Sequence, residues 1–482
     1  MLPIDMSLNR APQQLTHIHL MGICGTAMGS LAGMLQEKGF RVTGSDQAVY
    51  PPMSTFLAEQ GIEIREGYRP EHLEPSPDLV VVGNVITAAN PEAQEMIRKR
   101  LPFLSLPQAL GHFFLGDKIP LVVTGTHGKT TTAALLASIL DRAGLDPSFM
   151  IGGILKGYER NYRLGKGPYF VIEGDEYDTA FFDKGPKFLH YRPQMAVLTG
   201  IEYDHADIYP DLPSIQQAFA RFLRILPPDG LLSVNEADEG ARAILKEAPC
   251  PVETFGWGGR GLWSLEGLRH TDTGTAFDVY NRGRFWHRFS SPLSGRHNAL
   301  NFISLLPILR RLGLSPEDMA KGLTAFQGVR RRQEVRGKEK GVTVIDDFAH
   351  HPTAVKETLS AVRNRYPGQR LIAVFEPRTN TSRRKVFQKD YVQAFNEADY
   401  VIVREAPGLE KIPEGERFSS SRLVDDLSAS GKKAAYFPDT EAILDYLLKH
   451  LKEGDVVLIM SNGGFDHIHQ RLLDALAAEE RG

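Results

Sequence analysis

The run Gly125-Thr126-His127-Gly128-Lys129-Thr130-Thr131-Thr132 sets two glycines and a lysine ahead of three threonines. It follows the apolar segment Ile119–Thr124 and precedes Ala133–Leu140, which reads as a helix stopped at Gly144. A glycine turn between a strand and a helix N-terminus binds anions, because backbone N–H groups and the helix dipole converge there. In such a turn Lys129 reaches the terminal phosphates of a nucleoside triphosphate and the Thr130 hydroxyl sits on Mg²⁺. Gly125, Thr126, His127, Gly128 and Thr131 complete the cradle. The strict P-loop pattern asks for glycine at position 123, where Val123 stands, so this is the shorter TGTxGKT form. The alternative is a turn that merely joins strand to helix.

The elements around this turn fall into three α/β segments, with boundaries read at 1–116, 117–329 and 330–482. The first opens with the strand Thr16–Met21, glycines at Gly22, Gly25 and Gly29, and a helix-like stretch ending at Gly39. A second strand, Phe40–Thr43, leads to Asp46. The spacing is G-x-x-G-x-x-x-G and not the dinucleotide pattern G-x-G-x-x-G. It fits a smaller nucleotide diphosphate on the helix N-terminus with Asp46 near the ribose or base, or a purely structural turn. The second segment carries two strands that run into acids: Tyr169–Asp178, containing Glu173, and Ala196–Asp207, containing His205. Ligands of parallel α/β sheets bind at the carboxyl ends of strands, so both clusters are expected to face the P-loop. From Val252 to Pro292 the chain turns glycine-rich and aromatic, which predicts an antiparallel meander. Gly295–Asn301 opens a helix, and Phe326–Arg332 reads as a hinge. The third segment starts with the strand Val342–Asp347. Strands at Arg370–Phe375, Tyr400–Val403 and Val456–Met460 follow, alternating with helices, which predicts a parallel sheet.

Bulk properties narrow the function. With 56 basic against 59 acidic residues and a net charge of −3, nothing argues for nucleic acid. No apolar run approaches the roughly 18 residues of a membrane span. Cys24 and Cys250 lack metal spacing and suggest no disulfide framework, so a reducing cytoplasm is expected. The first fifteen residues hold no signal-peptide core. No guanine-reading N-K-x-D motif argues for a GTPase, and no repeats argue for a motor. A nucleotide-diphosphate module before the P-loop and an α/β module behind it suit the ATP-driven joining of a carboxylate to an amine. A carboxylate is a poor electrophile until phosphorylation supplies a leaving group. The competing class, a dinucleotide-binding regulator with a vestigial P-loop, would release no phosphate with any amine.

TGTHGKTTT (124–132), YDHADIY (203–209), GRHNALN (295–301), GVRRRQE (328–334) and DDFAHHPT (346–353) together resemble the Mur ligase family, in the family's order and over nearly the whole chain. The resemblance implies a Rossmann-like UDP-binding domain, a central P-loop ATPase domain with a parallel sheet, and a C-terminal Rossmann-like α/β domain binding the amine. It implies ATP and two Mg²⁺ ions, with Mn²⁺ able to substitute. The substrates implied are UDP-N-acetylmuramate and the tripeptide L-alanyl-γ-D-glutamyl-meso-diaminopimelate, with UDP-N-acetylmuramate and L-alanine as the alternative. Gly174–Phe188, Glu376–Thr381 and Ser461–Phe465 favour the tripeptide, because they depart from the family's alanine-adding pattern. The product belongs to peptidoglycan recycling, and a monomer or weak dimer is expected.

Residue by residue, the resemblance assigns Lys129 to the β/γ-phosphates, Thr130 to one Mg²⁺, and Glu173 with His205 to a second. It assigns Asn298, beside His297, to the adenine, though an asparagine there also caps a helix locally. Arg331 and Arg332 match arginines that reach the phosphates, or form a solvated hinge. Asp347 and His350 match a nucleotide-contacting loop, with His351 beside it, and Gly22, Gly25, Gly29 and Asp46 would hold the UDP. By position, Arg378, Asn380, Ser461 and Asn462 would meet the amine substrate, although Arg378 suits a structural ion pair equally well.

Overall fold

The computed structural model describes residues 3–50, 53–271 and 273–478. The chain divides into two compact units. Met1–Glu202, Leu212–Thr254 and Ser304–Gly322 form the first, and Tyr203–Asp211, Phe255–Ile303 and Leu323–Gly482 the second.

The first unit holds two α/β layers. One is a five-stranded parallel sheet in the order Glu63–Glu66, Arg41–Asp46, His17–Met21, Leu79–Val82, Phe103–Ser105. The other runs Leu231–Asn235, Met195–Leu198, Ile119–Thr124, Tyr169–Gly174, Ser148–Leu155, Arg160–Arg163, parallel except for its last pair. Strands such as Leu79–Val82 (LVVV) are buried along their length, because crossover helices cover both faces of a parallel sheet and select continuous apolar runs. The helix Lys129–Arg142 is such a crossover, with every residue from Thr130 to Leu140 buried.

A polar network is sealed inside the first sheet. Glu92, fully buried at the start of the helix Pro91–Arg98, accepts from His19 Nε2 at 2.7 Å and from Ser45 Oγ at 2.6 Å. A carboxylate only accepts, so His19 Nε2 carries a proton. Thr43 Oγ1 lies 2.9 Å from His19 Nδ1 and 2.9 Å from His17 Nε2 and links the two rings. The network ends under the first glycine turn, where the Ser45 carbonyl accepts from the N–H groups of Gly22 and Ile23 at 2.8 and 3.1 Å.

In the second unit the predicted meander is present as the antiparallel strands Trp263–Thr271, Gly274–Asn281 and Arg284–Ser291. Its entry differs from expectation, since Phe255–Trp257 pairs with Trp263–Leu265 in parallel. Parallel neighbours normally need a long crossover. Here Gly258, Gly259 and Gly261, at φ of 66°, 81° and 82°, carry the chain back within a short loop. The other sheet runs Glu334–Glu339, Val342–Asp347, Val456–Met460, Leu371–Phe375, Tyr400–Arg404, Lys433–Phe437, parallel except for the first pair. Its side chains alternate between two cores. Leu458 and Met460 pack with Val355 and Tyr391 on one face, and Val457 and Ile459 with Leu447 and Leu472 on the other. Both outer strands are partly exposed, as edge strands tend to be, and Glu334–Glu339 is also charged along its length.

Glu92→Ala strands the Ser45 hydroxyl and the His19 N–H in a dry interior. The expected loss is about 2–4 kcal/mol. Calorimetry should show the first unfolding transition lowered by roughly 5–10 °C, with Glu92→Gln, which keeps an acceptor, falling less.

Candidate functional site

In the first unit the P-loop is stitched to the loop after Met195–Leu198. Gly125 sits at φ 125°, and a Cβ there would meet Thr199 Oγ1 at 2.2 Å and the Gly200 carbonyl at 2.9 Å. Thr126 N donates to Gly200 O at 2.9 Å, and Thr199 Oγ1 donates to His127 O at 2.6 Å. Thr126 Oγ1 accepts from Glu202 N at 2.8 Å. Gly128, at φ 81°, then starts the helix, whose first turn has no side-chain cap, so its N–H groups face the turn as an anion site requires.

Lys129 Nζ donates to Gly125 O at 2.7 Å and pairs with Glu176 Oε2 at 3.0 Å. Burial acts to lower its pKa, but Glu176, Asp175 and Glu173 outweigh burial and hold the ammonium above its ordinary value. Thr130 Oγ1 donates to Glu173 Oε2 at 3.1 Å, and Glu173 Oε1 accepts from Gly152 N at 2.6 Å. A hydroxyl and a carboxylate side by side at a phosphate-type turn are the hard oxygen donors that Mg²⁺ selects, so the donor set fits that ion. Glu176 was not singled out in the sequence, although it lies in the visible acidic run. Asp175 of the same run pairs with Lys187 at 3.7 Å, whose ammonium lies 4.0 Å from the Tyr177 ring centroid. Burial pushes the Lys187 pKa down despite Asp175.

The other glycine turn of this unit is held through Asp46, whose Oδ2 accepts from Cys24 N at 2.9 Å and Oδ1 from Ala48 N at 3.0 Å. Gly22 lies at φ 81°, and Gly25 precedes the helix Thr26–Glu37 without a side-chain cap. Gly29 is a turn further on. A Cβ there would meet the terminal methyl of the flexible Met53 side chain and the Ile23 carbonyl at 3.3 Å, so the helix packs closely at this position.

In the second unit His205 lies at φ 52° in a loop that folds against the third segment. Thr381 Oγ1 donates to Asp204 Oδ1 at 2.7 Å, and Asn380 Nδ2 to Asp207 Oδ2 at 2.7 Å. Burial acts to raise the Asp204 pKa. The imidazoles of His205, His350 and His351 and the Thr381 hydroxyl more than reverse this and hold it far below the ordinary carboxylate value.

Several expected ligand contacts are engaged by the chain itself. The Asn380 amide is used at both ends, since its Oδ1 also accepts from Arg383 Nη2 at 2.6 Å. Asn298 is buried, and its Nδ2 donates to Ser294 O at 2.8 Å. Asp347 accepts from the N–H groups of Gln333 and Ala349, both at 2.8 Å. Burial raises its pKa against the pull of Arg332. Arg331 Nη2 donates to the carbonyls of Ser461 and Gly463, both at 2.7 Å, and so fastens the Ser461 loop. Arg332 lies 4.6 Å from the Phe348 ring centroid. His350 Nδ1 donates to Phe348 O at 3.0 Å. Ser461 Oγ donates to the fully buried Glu376 at 2.5 Å and accepts from Gly463 N at 2.9 Å. Arg404 also holds Glu376, at 2.6 Å, whereas Arg378 stands 3.8 Å away with 46% of its side chain exposed. Of the two arginines on Glu376, Arg378 is therefore the one with surface to offer a ligand. Asn462 follows Ser461 in the loop that Arg331 fastens.

Family models match three successive stretches: the Mur ligase family catalytic domain at residues 17–117, the Mur ligase middle domain at 123–306, and the Mur ligase glutamate ligase domain at 331–463. The chain belongs to the Mur ligase family, and it is an ATP-dependent ligase of α/β architecture. It is 42% identical, over 95% of its length and 98% of the relative's, to the UDP-N-acetylmuramate–L-alanyl-γ-D-glutamyl-meso-2,6-diaminoheptandioate ligase of Escherichia coli. Identity to the UDP-N-acetylmuramate–L-alanine ligase of Caldanaerobacter subterraneus is 33%, over 96% and 98% of the two chains. The crystal structure of a murein peptide ligase from Psychrobacter arcticus aligns with a TM-score of 0.73 at 35% identity, covering 96% of this chain and 98% of that one.

Gly125→Ala should reduce affinity for a non-hydrolysable ATP analogue by more than about tenfold, because the turn must leave its positive φ. Isothermal titration would show it, and unchanged affinity would remove this turn from the nucleotide site.

Proposed function

We propose that the chain joins the carboxylate of UDP-N-acetylmuramate to the N-terminal amine of L-alanyl-γ-D-glutamyl-meso-diaminopimelate. The observation that carries this reading is the 42% identity to a ligase of that name across nearly the whole chain, against 33% to an alanine ligase. The Glu376–Thr381 and Ser461–Phe465 loops, which depart from the alanine-adding pattern, support it. In the reaction the muramoyl carboxylate oxygen attacks the γ-phosphorus of ATP and ADP leaves. The amine nitrogen then attacks the acyl carbon, the carbon–oxygen bond to phosphate breaks, and the nitrogen gives up a proton.

The roles proposed for individual residues rest on the family resemblance and on the geometry within each unit. Lys129 and the P-loop N–H groups neutralise the phosphates. Thr130 is proposed to hold one Mg²⁺, and Glu173 with His205 a second such ion. The ion supplies charge neutralisation on the transferring phosphoryl group when bound, and Mn²⁺ is proposed to substitute. Phosphoryl transfer depends chiefly on such positioning and charge stabilisation. Gly22, Gly25, Gly29 and Asp46 are proposed for the UDP, Asn298 for the adenine side, Arg332 and His350 for the nucleotide, and Arg378 with Ser461 and Asn462 for the tripeptide. Three domains at 1–116, 117–329 and 330–482 are proposed, supported by the spans of the three family models. No helix among the described residues is long and apolar enough to cross a membrane.

Phosphate release from ATP with UDP-N-acetylmuramate should be fast with the tripeptide and weak with L-alanine. The reverse pattern would assign the alanine-adding reaction instead. Lys129→Ala should cut turnover about a thousandfold or more while calorimetric affinity for UDP-N-acetylmuramate stays within about twofold, since the two glycine turns are separate. Equal loss of both would show one shared site.

A further inference from the structure

The loop Tyr203–Asp211 carries His205, and its side chains are spent on the third segment. Asp204 meets Thr381, Asp207 meets Asn380, and Ala206 N donates to Thr381 Oγ1 at 3.3 Å. At the loop's start, the Tyr203 carbonyl accepts from His351 Nε2 at 3.3 Å. The rings of Tyr203 and His351 both pack edge-on against Phe387, at 6.3 and 4.5 Å between centroids.

Within the loop, His205 needs this support. Its φ of 52° is a conformation that residues other than glycine seldom adopt. Asp204 Oδ1 accepts from His205 N at 2.7 Å while accepting from Thr381, and Ile208 N and Tyr209 N close onto the His205 carbonyl at 2.8 and 2.9 Å. One carboxylate oxygen, 7% exposed as a residue, thus fixes both the strained backbone and its link to Thr381.

We propose that Thr381, assisted by Asn380, is a positioning residue: the Arg378–Thr381 loop sets the conformation of the loop that carries His205. This rests on the proposed function, in which the first loop meets the amine and His205 serves the metal. Amine recognition and the imidazole are then set by one hydroxyl–carboxylate contact, and the loop that distinguishes this chain from the alanine-adding pattern also orients its catalytic imidazole.

Thr381→Val keeps the shape and removes the hydroxyl. Deuterium uptake by the amides of 203–211 should rise roughly tenfold in rate, because a buried acceptor loses its donor. kcat should fall about tenfold with the KM for ATP within about twofold, and Thr381→Ser should restore both readouts. Asn380→Ala, at an exposed pair, should give a rise of about threefold in uptake and keeps the test open if the valine variant misfolds. Unchanged uptake in 203–211, or an increase spread evenly over the chain, would overturn the proposal. Failure of the functional reading would look different, as wild-type protein releasing no phosphate with the tripeptide.

Discussion

A carboxylate removed from water must be met by hydrogen-bond donors or cations, and this demand organises both units. The sheets end in acids at their carboxyl edges: Glu173 in the last residues of one strand, Asp346 and Asp347 at the end of another, Glu376 after a third. Each is met differently. Glu173 takes a backbone N–H and a threonine hydroxyl, Asp347 takes two backbone N–H groups, and Glu376 takes an arginine and a serine. Desolvation without such partners costs several kcal/mol per ion, so each acid dictates the path of the loop that satisfies it. Turn geometry at the sites follows from these local obligations as much as from glycine placement.

Much of this was legible in the sequence where the information is local. Lys129 and Thr130 are recognisable because a strand, a glycine turn and a helix start lie within about twenty residues, and the buried apolar strands announce themselves by composition. The acid that pairs with Lys129 was not legible. Three carboxylates, Asp175, Glu176 and Asp178, follow the strand Tyr169–Gly174 in quick succession, and only the path of the chain beyond Gly174 decides that Glu176 turns to the lysine while Asp175 turns to Lys187. The bonds from Thr381 to Asp204 and from Asn380 to Asp207 were equally hidden, since they join positions 177 and 173 residues apart. Arg331 is a further case. Its run of three arginines is open to a solvated hinge as well as to the phosphate contact the resemblance implies, and the fold adds a contact neither foresaw, the hold of Arg331 on the Ser461 and Gly463 carbonyls.

Residues that hold a loop and residues that touch a ligand come from the same few types, and the structure separates them by what each polar atom already has. Arg404 and Arg378 illustrate this. The first is anchored directly on Glu376 and also pairs with Asp466 at 2.9 Å. The second lies across Gly463, where a Cβ would meet its Cδ at 2.4 Å, and keeps nearly half its side chain in solvent.

The lysine of the P-loop has a further consequence. Because Glu176 and the Gly125 carbonyl already hold its ammonium, the turn presents a dipole rather than a bare positive charge. A singly charged anion competing for Nζ would replace one carboxylate with another of equal charge and gain little. A polyphosphate brings more negative charge than it displaces and can also take up the helix N–H groups. The ion pair thus acts as a threshold on ligand valence, favouring a triphosphate over the simple anions that far outnumber it in solution.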